Sequence, residues 1–275
     1  MSTPIVVCGA AGRMGRTLIG LVVQSDTARL VGAVEAPGHE ALGRDAGEVA
    51  AAGTVGVTIT ADFDAVATAE AVTLDFTNAA AALEHLRAAV RRQSPIVIGS
   101  TGFTPPQEQE IDALAPQTRC VIAPNMSVGI AVLQRLVRQT AMALGADFDP
   151  EIVEIHHRMK IDAPSGTALA LAQTVAEATE RTLATDVVYG RHGVVGQRTR
   201  KEIGVLAVRG GDVVGDHSVI FAGLGERLEL THRAQSRACL ARGALRAALW
   251  LVHQPTGRYD MHDVLGWHGA QQRPL

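Results

Sequence analysis

The chain has 275 residues, of which 47% are hydrophobic and 3% aromatic, and its formal net charge at pH 7 is -3. This length is enough for one large core or for two domains. A net charge so close to zero provides no overall attraction to nucleic acid or to acidic membranes, so we expect neither as a partner. The start, MSTP followed by an apolar run, lacks a basic region with a cleavable apolar segment, and no apolar run approaches the roughly 20 residues of a membrane span. We therefore expect a cytoplasmic protein.

The three cysteines, Cys8, Cys120 and Cys239, lack the spacing of metal ligands, and two of them lie inside apolar, strand-like runs. Reduced, buried thiols of a cytosolic protein fit this pattern best. No spacing of histidine, cysteine or carboxylate residues indicates a metal site, so we predict none.

The chain opens with a strand, a glycine turn, a helix and a second strand. Residues 5–8 form an apolar run, the turn GAAGRMG follows at residues 9–15, and apolar residues then recur at helical spacing. The second strand ends at Glu35, 20 residues after Gly15. This order is typical of a dinucleotide site, in which the acidic residue accepts hydrogen bonds from the adenosine ribose hydroxyls. The spacing GxxGxxG differs from the common GxGxxG, so a plain tight βα turn is the alternative.

Strands and helices continue to alternate in the first half of the chain. Residues 72–76, 95–98 and 120–122 are predicted strands, and residues 78–92 and 106–115 are predicted helices. Ligands of an open parallel sheet lie beyond the carboxyl ends of its strands. Small or polar loops follow three of these ends, at residues 9–15, 99–103 and 123–126. We therefore predict an α/β protein with a Rossmann-like, doubly wound parallel sheet.

The pattern changes after a predicted helix at residues 127–144. Strand-like runs at residues 205–208, 217–221 and 227–231 follow one another without intervening helices. This predicts a second, α+β domain with a largely antiparallel or mixed sheet. Residues 237–253 are predicted to form a last helix that packs back on the first domain, ahead of a polar tail at residues 254–275. The predicted division is residues 1–127, residues 128–236 and residues 237–275.

The titratable residues concentrate in the run EIVEIHHRMKIDAPSGTALA at residues 151–170. An apolar, β-branched strand leads into His156 and His157, with Arg158 and Lys160 close behind. Because successive strand side chains point to opposite faces, the two histidines either have separate roles or the strand ends between them. Histidine carries protons near neutral pH, and a lysine donates a proton or holds an anion.

A helix start follows these residues directly. Ser165 is placed to cap the alanine-rich helix, so the amides of Gly166 and Thr167 would lie at its N-terminus. Such amides, with the helix dipole, bind carboxylate or phosphate. An exposed basic loop is the alternative interpretation of the histidines and cations alone, but the capped turn beside them favours a functional site.

Two other polar clusters are predicted to have no catalytic role. A glycine-rich loop without interleaved aromatic residues indicates a solvated or substrate-covering loop rather than a nucleic-acid patch; its cations are Arg191, Arg198, Arg200 and Lys201. His217 and His232 lie in or beside predicted strands, and we expect them to be hydrogen-bonded scaffold histidines.

The run from Glu151 to Ala168 resembles the signature of the 4-hydroxy-tetrahydrodipicolinate reductase (dihydrodipicolinate reductase) family. That signature, E-x-x-E-x-H-H-x-x-K-x-D-x-P-S-G-T-A, is matched throughout. The segments GAAGRMG, GSTGF, APNMSVG, GDVVGDH and YDMHDVL also resemble the family, so the similarity covers nearly the whole chain. Ala11 stands where many members have another glycine, and its small side chain still permits close backbone approach.

The resemblance implies the NAD(P)H-dependent reduction of 4-hydroxy-2,3,4,5-tetrahydrodipicolinate to tetrahydrodipicolinate, with loss of water, in lysine and diaminopimelate biosynthesis. Hydride would pass from nicotinamide C4 to ring C4 of a cyclic imine with two carboxylates, and His156 or Lys160 would supply the proton. Substrate contacts are implied for His157, Ser165, Gly166 and Thr167. Cofactor contacts are implied for Gly9, Ala10, Ala11, Gly12, Arg13, Met14, Glu35, Gly99, Ser100, Thr101, Ala123, Pro124, Asn125 and Met126. By the same analogy, residues 128–236 would bind substrate and join the chains of a homotetramer.

One position bears on the choice of cofactor. Some relatives carry an arginine directly after the ribose-binding acidic residue, where it holds the 2′-phosphate of NADPH. Here that position is Ala36, followed by Pro37 and Gly38. Without a cation beside it, Glu35 would repel the phosphate, so we predict that NADH is preferred over NADPH.

Two other functions are compatible with the predicted fold. One is a two-domain dehydrogenase that acts on an amino acid or a semialdehyde. The other is a non-catalytic nucleotide-sensing protein. The intact run at residues 151–168 argues against the first, and the presence of both His156 and Lys160 argues against the second.

Overall fold

The computed structural model describes residues 2–267, which divide into two compact units. The first unit runs to Val128 and resumes at Ala238, and the second comprises residues 129–237. No helix in the described part of the chain is long and apolar enough to cross a membrane.

The first unit is built on a seven-stranded sheet with helices. Its strands are β1 (Thr3–Cys8), β2 (Ala28–Val34), β3 (Ile59–Thr60), β4 (Val72–Asp75), β5 (Ile96–Ile98), β6 (Arg119–Ile122) and β12 (Gly257–Tyr259). Its helices are α1 (Arg13–Val23), α2 (Ala46–Val49), α3 (Ala79–Arg92), α4 (Pro105–Leu114), α8 (Ala238–Leu251) and α9 (Met261–Val264).

The strand order in this sheet is β12-β6-β5-β4-β1-β2-β3, and every neighbouring pair is parallel. The order reverses at β1, which lies between β4 and β2. All residues of β4 and β5 are buried, as expected for parallel strands that are covered on both faces. The Rossmann-like prediction is confirmed, and the reversal at β1 creates the crevice in which such sheets bind ligands.

The second unit contains a five-stranded mixed sheet and three helices. The strands are β7 (Asp149–His156), β8 (Val187–Tyr189), β9 (Ile203–Arg209), β10 (Gly215–Ala222) and β11 (Arg227–Ala234), in the order β11-β10-β7-β9-β8. The helices are α5 (Val128–Leu144), α6 (Gly166–Ala178) and α7 (Leu183–Asp186). The sheet is antiparallel on the β10 side of β7 and parallel on the β9 side, which agrees with the predicted mixed α+β domain.

One face of the second sheet forms the core of this unit. Alternate residues of β7 and β10 are buried, and side chains such as Ile152, Val219 and Phe221 pack with apolar residues of α5 and α6. The residues between them, on the opposite face of β7 and β10, are only partly buried. The period-two pattern therefore fixes which side chains of β7 lie inside.

Several short elements have no signal in the sequence. The helix α2, the strand β3 and the pair α7 and β8 have two to four residues each, too few to show a periodic pattern. The first part of the predicted polar tail contains two short elements that have no clear signal in the sequence. There β12 adds to the edge of β6, with the ring of Tyr259 against Trp250, and Asp260 caps α9. Residues 268–275 of that tail lie outside the described residues.

Candidate active site

The strand β7 ends at His156, between the two adjacent histidines. The alternation along β7 places Glu154 and His156 on its buried face, and Glu154 is completely buried. His157 follows the strand and is half-buried. Of the two arrangements that the sequence left open, the structure has the one in which the strand stops between the histidines.

The Glu154 carboxylate connects three parts of the second unit. Its Oε2 atom lies 2.5 Å from Nδ1 of His156, and its Oε1 atom accepts a hydrogen bond of 3.0 Å from the backbone amide of Ser165. The guanidinium of Arg209 donates to both oxygens at 2.8 Å. The end of β7, the start of α6 and the end of β9 are therefore joined by a single buried carboxylate.

These contacts determine the charges of the pair. Burial would raise the pKa of Glu154, but hydrogen bonds from Arg209, His156 and the Ser165 amide outweigh it and hold the pKa below its ordinary value. Burial lowers the pKa of His156, and the hydrogen bond to Glu154 opposes this only in part. Glu154 is therefore ionised and His156 neutral at pH 7. Its Nδ1–H donates to Glu154, which leaves the Nε2 lone pair to accept a proton.

A glycine lies beside the reactive edge of this histidine. A Cβ atom added to Gly215, at the start of β10, would lie only 2.9 Å from Nε2 of His156. Any side chain at this position would therefore crowd the atom that carries the lone pair. The glycine at position 215, in the segment GDVVGDH, thus leaves space beside Nε2 of His156.

The N-terminus of α6 lies next to Glu154. The hydroxyl oxygen of Ser165 accepts a hydrogen bond from the amide of Ala168, as an N-cap does, and lies 3.1 Å from Nε2 of His217. Because α6 begins at Gly166, the amides of Gly166 and Thr167 lie in its first turn, where the positive end of the helix dipole is concentrated. This turn has the character of an anion-binding site.

The loop after β7 carries the cationic residues of the site. Nζ of Lys160 lies 2.8 Å from Oδ1 of Asp162, and Arg209 donates a hydrogen bond to the carbonyl oxygen of Asp162. Arg237 lies 3.4 Å from Nε2 of His157 through one guanidinium nitrogen. The predicted residues from 156 to 167 are thus brought around one strand end, where they meet two arginines from distant parts of the sequence.

The interpretation of one buried histidine needs correction. His217 is not a fully hydrogen-bonded scaffold histidine: within the described part of the chain its Nδ1 has no hydrogen-bond partner, and burial, with nearby His156, lowers its pKa to about 4. The prediction of a solvated or substrate-covering loop for the arginine-rich segment stays a prediction, and two of its four cations lie in ion pairs. Arg191 and Arg198 both bind the carboxylate of Glu151, and Gly204 has no Cβ because that carboxylate occupies its place.

In the first unit, the glycine turn is shaped by close backbone approach. A Cβ atom at Gly15 would lie 2.0 Å from the carbonyl oxygen of Gly9, and Gly9 itself has a positive φ of 71°. Glu35 accepts hydrogen bonds of 2.9 Å from the amides of Ala11 and Ala36. The acidic residue therefore lies against the turn, as a ribose-binding carboxylate in a dinucleotide site does.

The other two predicted cofactor loops follow β5 and β6. Gly99 packs against the ring of Phe76, and the carbonyl of Met126 occupies the place that a Cβ atom of Gly243 would take in α8. A cleft of about 590 Å³ is lined by residues of both loops, among them Ser100, Thr101 and Pro124. The loops at 9–15, 99–101 and 123–126 thus follow β1, β5 and β6 at the carboxyl edge of one sheet, with β4 between β1 and β5. This is the edge at which open parallel sheets bind ligands.

Two family models, one after the other, match nearly the whole chain. The model described as "Dihydrodipicolinate reductase, N-terminus" matches residues 3–126, and "Dihydrodipicolinate reductase, C-terminus" matches residues 129–265. The chain belongs to the dihydrodipicolinate reductase family. The 4-hydroxy-tetrahydrodipicolinate reductase of Syntrophobacter fumaroxidans is 51% identical over 260 residues, covering 94% of this chain and 97% of that protein. The enzyme of the same name from Geobacter sulfurreducens is 48% identical over 264 residues, covering 96% and 99%.

Solved structures agree with this family. The dipicolinate-bound dihydrodipicolinate reductase from Paenisporosarcina sp. TG-14 has a TM-score of 0.71 and 25% identity, and the match covers 94% of this chain and 98% of that one. An amine dehydrogenase from Mycobacterium smegmatis, 14% identical with a TM-score of 0.61 and 94% coverage of both chains, shares the fold alone. The family resemblance of residues 151–168 is confirmed, and with it an oxidoreductase that uses a nicotinamide cofactor in lysine and diaminopimelate biosynthesis.

Sequence analysis did not assign roles to Glu154, Arg209 and Arg237. Glu154 could have been found, because it precedes His156 by two residues and therefore shares its strand face. The two arginines lie 55 residues from Glu154 and 80 residues from His157, with no local motif that connects them.

Proposed function

We propose that this chain reduces 4-hydroxy-2,3,4,5-tetrahydrodipicolinate, with loss of water, and that Lys160 and His156 handle the protons of the reaction. The observation that carries the proposal is that one buried carboxylate, Glu154, holds a neutral histidine beside the N-terminus of α6. An acid/base group and an anion-binding helix start are thereby fixed to each other. A cyclic imine with two carboxylates requires both.

The substrate is a dianion, and the proposed contacts supply positive charge for it. The amides of Gly166 and Thr167 would hold one carboxylate at the positive end of α6. His157 and Arg237, which lie within 3.4 Å of each other, would provide further donors. Fixing a carboxylate in this way would orient the ring for the reaction.

The bound cofactor would supply hydride to ring C4, and the glycine turn with Glu35 would hold its adenosine part. Reduction of the conjugated imine moves negative charge toward C3 and the ring nitrogen, where a proton is needed. Lys160, paired with Asp162, would donate it from Nζ at neutral pH. His156 is neutral at that pH, so its Nε2 would accept the ring C–H proton that is lost when the 4-hydroxyl group is eliminated as water.

The test is a coupled assay in which a synthase makes the unstable substrate from pyruvate and aspartate semialdehyde, followed by the loss of NADH absorbance. His156→Gln should lower kcat by about 10²-fold or more with nearly unchanged NADH affinity, because it removes a general acid/base. Lys160→Met should lower kcat and raise KM for the substrate, because a charge beside a dianion is lost. His192→Gln, the same change at an exposed histidine of the second unit, is the control. Near wild-type turnover in either active-site variant would overturn its assignment.

We also propose that NADH is the preferred cofactor. Ala36 is exposed directly after Glu35, so the position that would meet a 2′-phosphate carries no cation. Equal values of kcat/KM for NADH and NADPH would contradict this proposal.

A homotetramer joined through the second sheet is the proposed assembly. Apolar side chains remain exposed on edge and inner strands of that sheet, including Tyr189, Val208 and Leu228. Covering them against other copies of the chain would remove apolar surface from water. Light scattering on protein that elutes from a size-exclusion column measures the mass of the assembly. A monomeric mass would refute the proposed tetramer.

A further inference from the structure

A second buried carboxylate–histidine pair lies in the first unit and takes no part in the proton chemistry proposed above. Asp75 is the last residue of β4 and is completely buried. Its Oδ2 atom lies 2.5 Å from Nδ1 of His85 in α3. Cys8 is its neighbour across the sheet, on β1.

The three side chains could suggest a metal site, since their potential ligand atoms all lie within 4.8 Å of one another. Two ligand atoms on one tetrahedral zinc ion, however, are separated by about 3 Å or more, given metal–ligand distances of about 2 Å. The 2.5 Å contact is that of a hydrogen bond instead. Burial, with the charges of Asp75 and Glu35, also raises the pKa of the Cys8 thiol, which disfavours the thiolate that binds metals.

The other oxygen of Asp75 holds two loops at the carboxyl edge of the sheet. Oδ1 accepts hydrogen bonds from the amide and the hydroxyl of Thr77, at 3.0 and 2.7 Å, and from the hydroxyl of Ser100, at 3.2 Å. The carbonyl oxygen of Asp75 accepts a hydrogen bond from the amide of Gly99. The loop after β4 and the loop after β5 are thus tied to one residue.

Thr77 passes this restraint on to the glycine turn. A Cβ atom at Gly9 would lie 3.2 Å from the methyl group of Thr77, so the threonine packs directly against the start of the turn. Phe76, between Asp75 and Thr77, packs in the same way against Gly99. Two of the three loops assigned to the cofactor therefore rest on the residues that Asp75 positions.

His85 fixes the remaining oxygen of the carboxylate. Its ring packs against Phe63, with centroids 4.6 Å apart, so the position of Nδ1 is determined by packing as well as by the hydrogen bond. Three donors therefore contact Oδ1 of Asp75, and His85 contacts Oδ2. Both oxygens of the buried carboxylate thus have hydrogen-bond partners.

We propose that the Asp75–His85 pair is a positioning element for the cofactor, which sets dinucleotide affinity by holding the loop after β5 and the glycine turn in their binding geometry. The inference rests on the proposed assignment of these loops to the cofactor. It assigns to Asp75 and His85 no contact with the reacting atoms. Their loss should weaken cofactor binding much more than it slows the step that follows binding.

The experiment measures NADH binding by fluorescence titration, which yields both Kd and the number of sites, together with kcat at saturating NADH. Asp75→Asn introduces an amide donor where Thr77, Ser100 and His85 already donate. His85→Phe keeps an aromatic ring against Phe63 but removes the hydrogen bond to Asp75. Each should raise Kd by about tenfold or more, since hydrogen bonds to a charged group are lost. His85→Gln, whose amide can still donate to Asp75, should restore part of the affinity.

Thr118→Val is the matched control. The buried hydroxyl of Thr118 donates to the carbonyl of Ser94 at the amino edge of the same sheet, so its loss lowers stability without touching the loops. It should leave Kd unchanged.

The outcomes separate the inference from the proposed function. Wild-type protein that binds neither NADH nor NADPH would overturn the proposed function itself. Wild-type protein that binds NADH, with His85→Phe binding as tightly, would overturn only the inference. A decrease in the number of sites at constant Kd would also overturn it, because that result indicates partial unfolding. If Asp75→Asn fails to fold, the two His85 variants decide the question.

Discussion

Replacing Glu154 with Gln changes one atom of a side chain that receives four hydrogen bonds from three residues. The amide of Gln keeps one acceptor oxygen. Its NH2 group would face hydrogen-bond donors that the second carboxylate oxygen of Glu154 had paired with. Arg209, whose side chain is 20% exposed, loses its bidentate partner. Removing one partner of a buried ion pair costs about 3–5 kcal/mol, and the partial exposure of Arg209 favours the lower end of this range. We expect urea unfolding to show a loss of about 3 kcal/mol.

The same substitution should alter the chemistry of His156. The hydrogen bond to Glu154 raises the pKa of His156 against the effect of burial, so its removal should lower that pKa further. The acid limb of the kcat–pH profile should therefore move to lower pH, and kcat should fall because the ring loses the bond that orients it. A shift of one pH unit corresponds to about 1.4 kcal/mol of interaction between the two side chains.

The stability difference should also depend on pH. The pKa of Glu154 is lower in the folded protein than its ordinary value of 4.5. Its contribution is therefore complete above that value and is lost as the pH falls through the folded pKa. Wild type should exceed Glu154→Gln by the full amount of the Glu154 contribution at pH 7. The difference should widen where His156 is protonated in wild type but not in the variant, and it should shrink as the pH falls below 4.5 and through the folded pKa of Glu154.

Glu151→Gln is the matched control for both measurements. Glu151 lies on the same strand and the opposite face, where it pairs with Arg191 and Arg198. Its loss should reduce stability but leave the acid limb of kcat in place. If Glu154→Gln retains the wild-type acid limb and loses only as much stability as Glu151→Gln, Glu154 is a structural residue and our account of His156 is wrong.

Three further changes have defined outcomes. Gly215→Ala should crowd Nε2 of His156 and lower kcat with unchanged NADH affinity; unchanged kcat would show that this edge is not used. Ala36→Arg should raise kcat/KM for NADPH and leave that for NADH nearly constant, as measured with both cofactors in the coupled assay. Ser165→Ala should remove the N-cap of α6, which should lower the free energy of unfolding by about 1 kcal/mol and raise KM for the substrate. Thr182→Ala, the same type of change before the short helix α7, should leave KM unchanged.

Local patterns were sufficient to predict the first βαβ segment of the first unit. The strand, glycine turn, helix and acidic residue from residue 5 to Glu35 are contiguous, and each element follows from the periodicity of a short window. The contact between Glu35 and the amide of Ala11 needs only this one βαβ unit to form. Elements held by pairing with distant strands, such as β3 and β12, have too little sequence of their own to be recognised.

The active-site partners in the second unit could not be predicted in the same way. Strand register places Arg209 of β9 opposite His156, and His217 of β10 opposite Glu154. Both neighbours of β7 therefore contribute to the site, from one parallel and one antiparallel pairing. Neither the order of the strands nor their register follows from the pattern of any single strand. The predicted site residues of the second unit therefore all lie at the end of β7, in the turn after it and at the start of α6.

The two carboxylate–histidine pairs show why such a pair alone does not define a catalytic site. Each has a completely buried carboxylate whose oxygen lies 2.5 Å from Nδ1 of a histidine, and each carboxylate also holds the backbone amide of a following loop. His85 lies within α3 with its ring against Phe63, whereas His156 ends a strand next to a position that has no side chain. We propose that His156, beside the N-terminus of α6, handles protons and that His85 holds a loop. The different effects expected for their variants, on kcat for one and on Kd for the other, test the distinction.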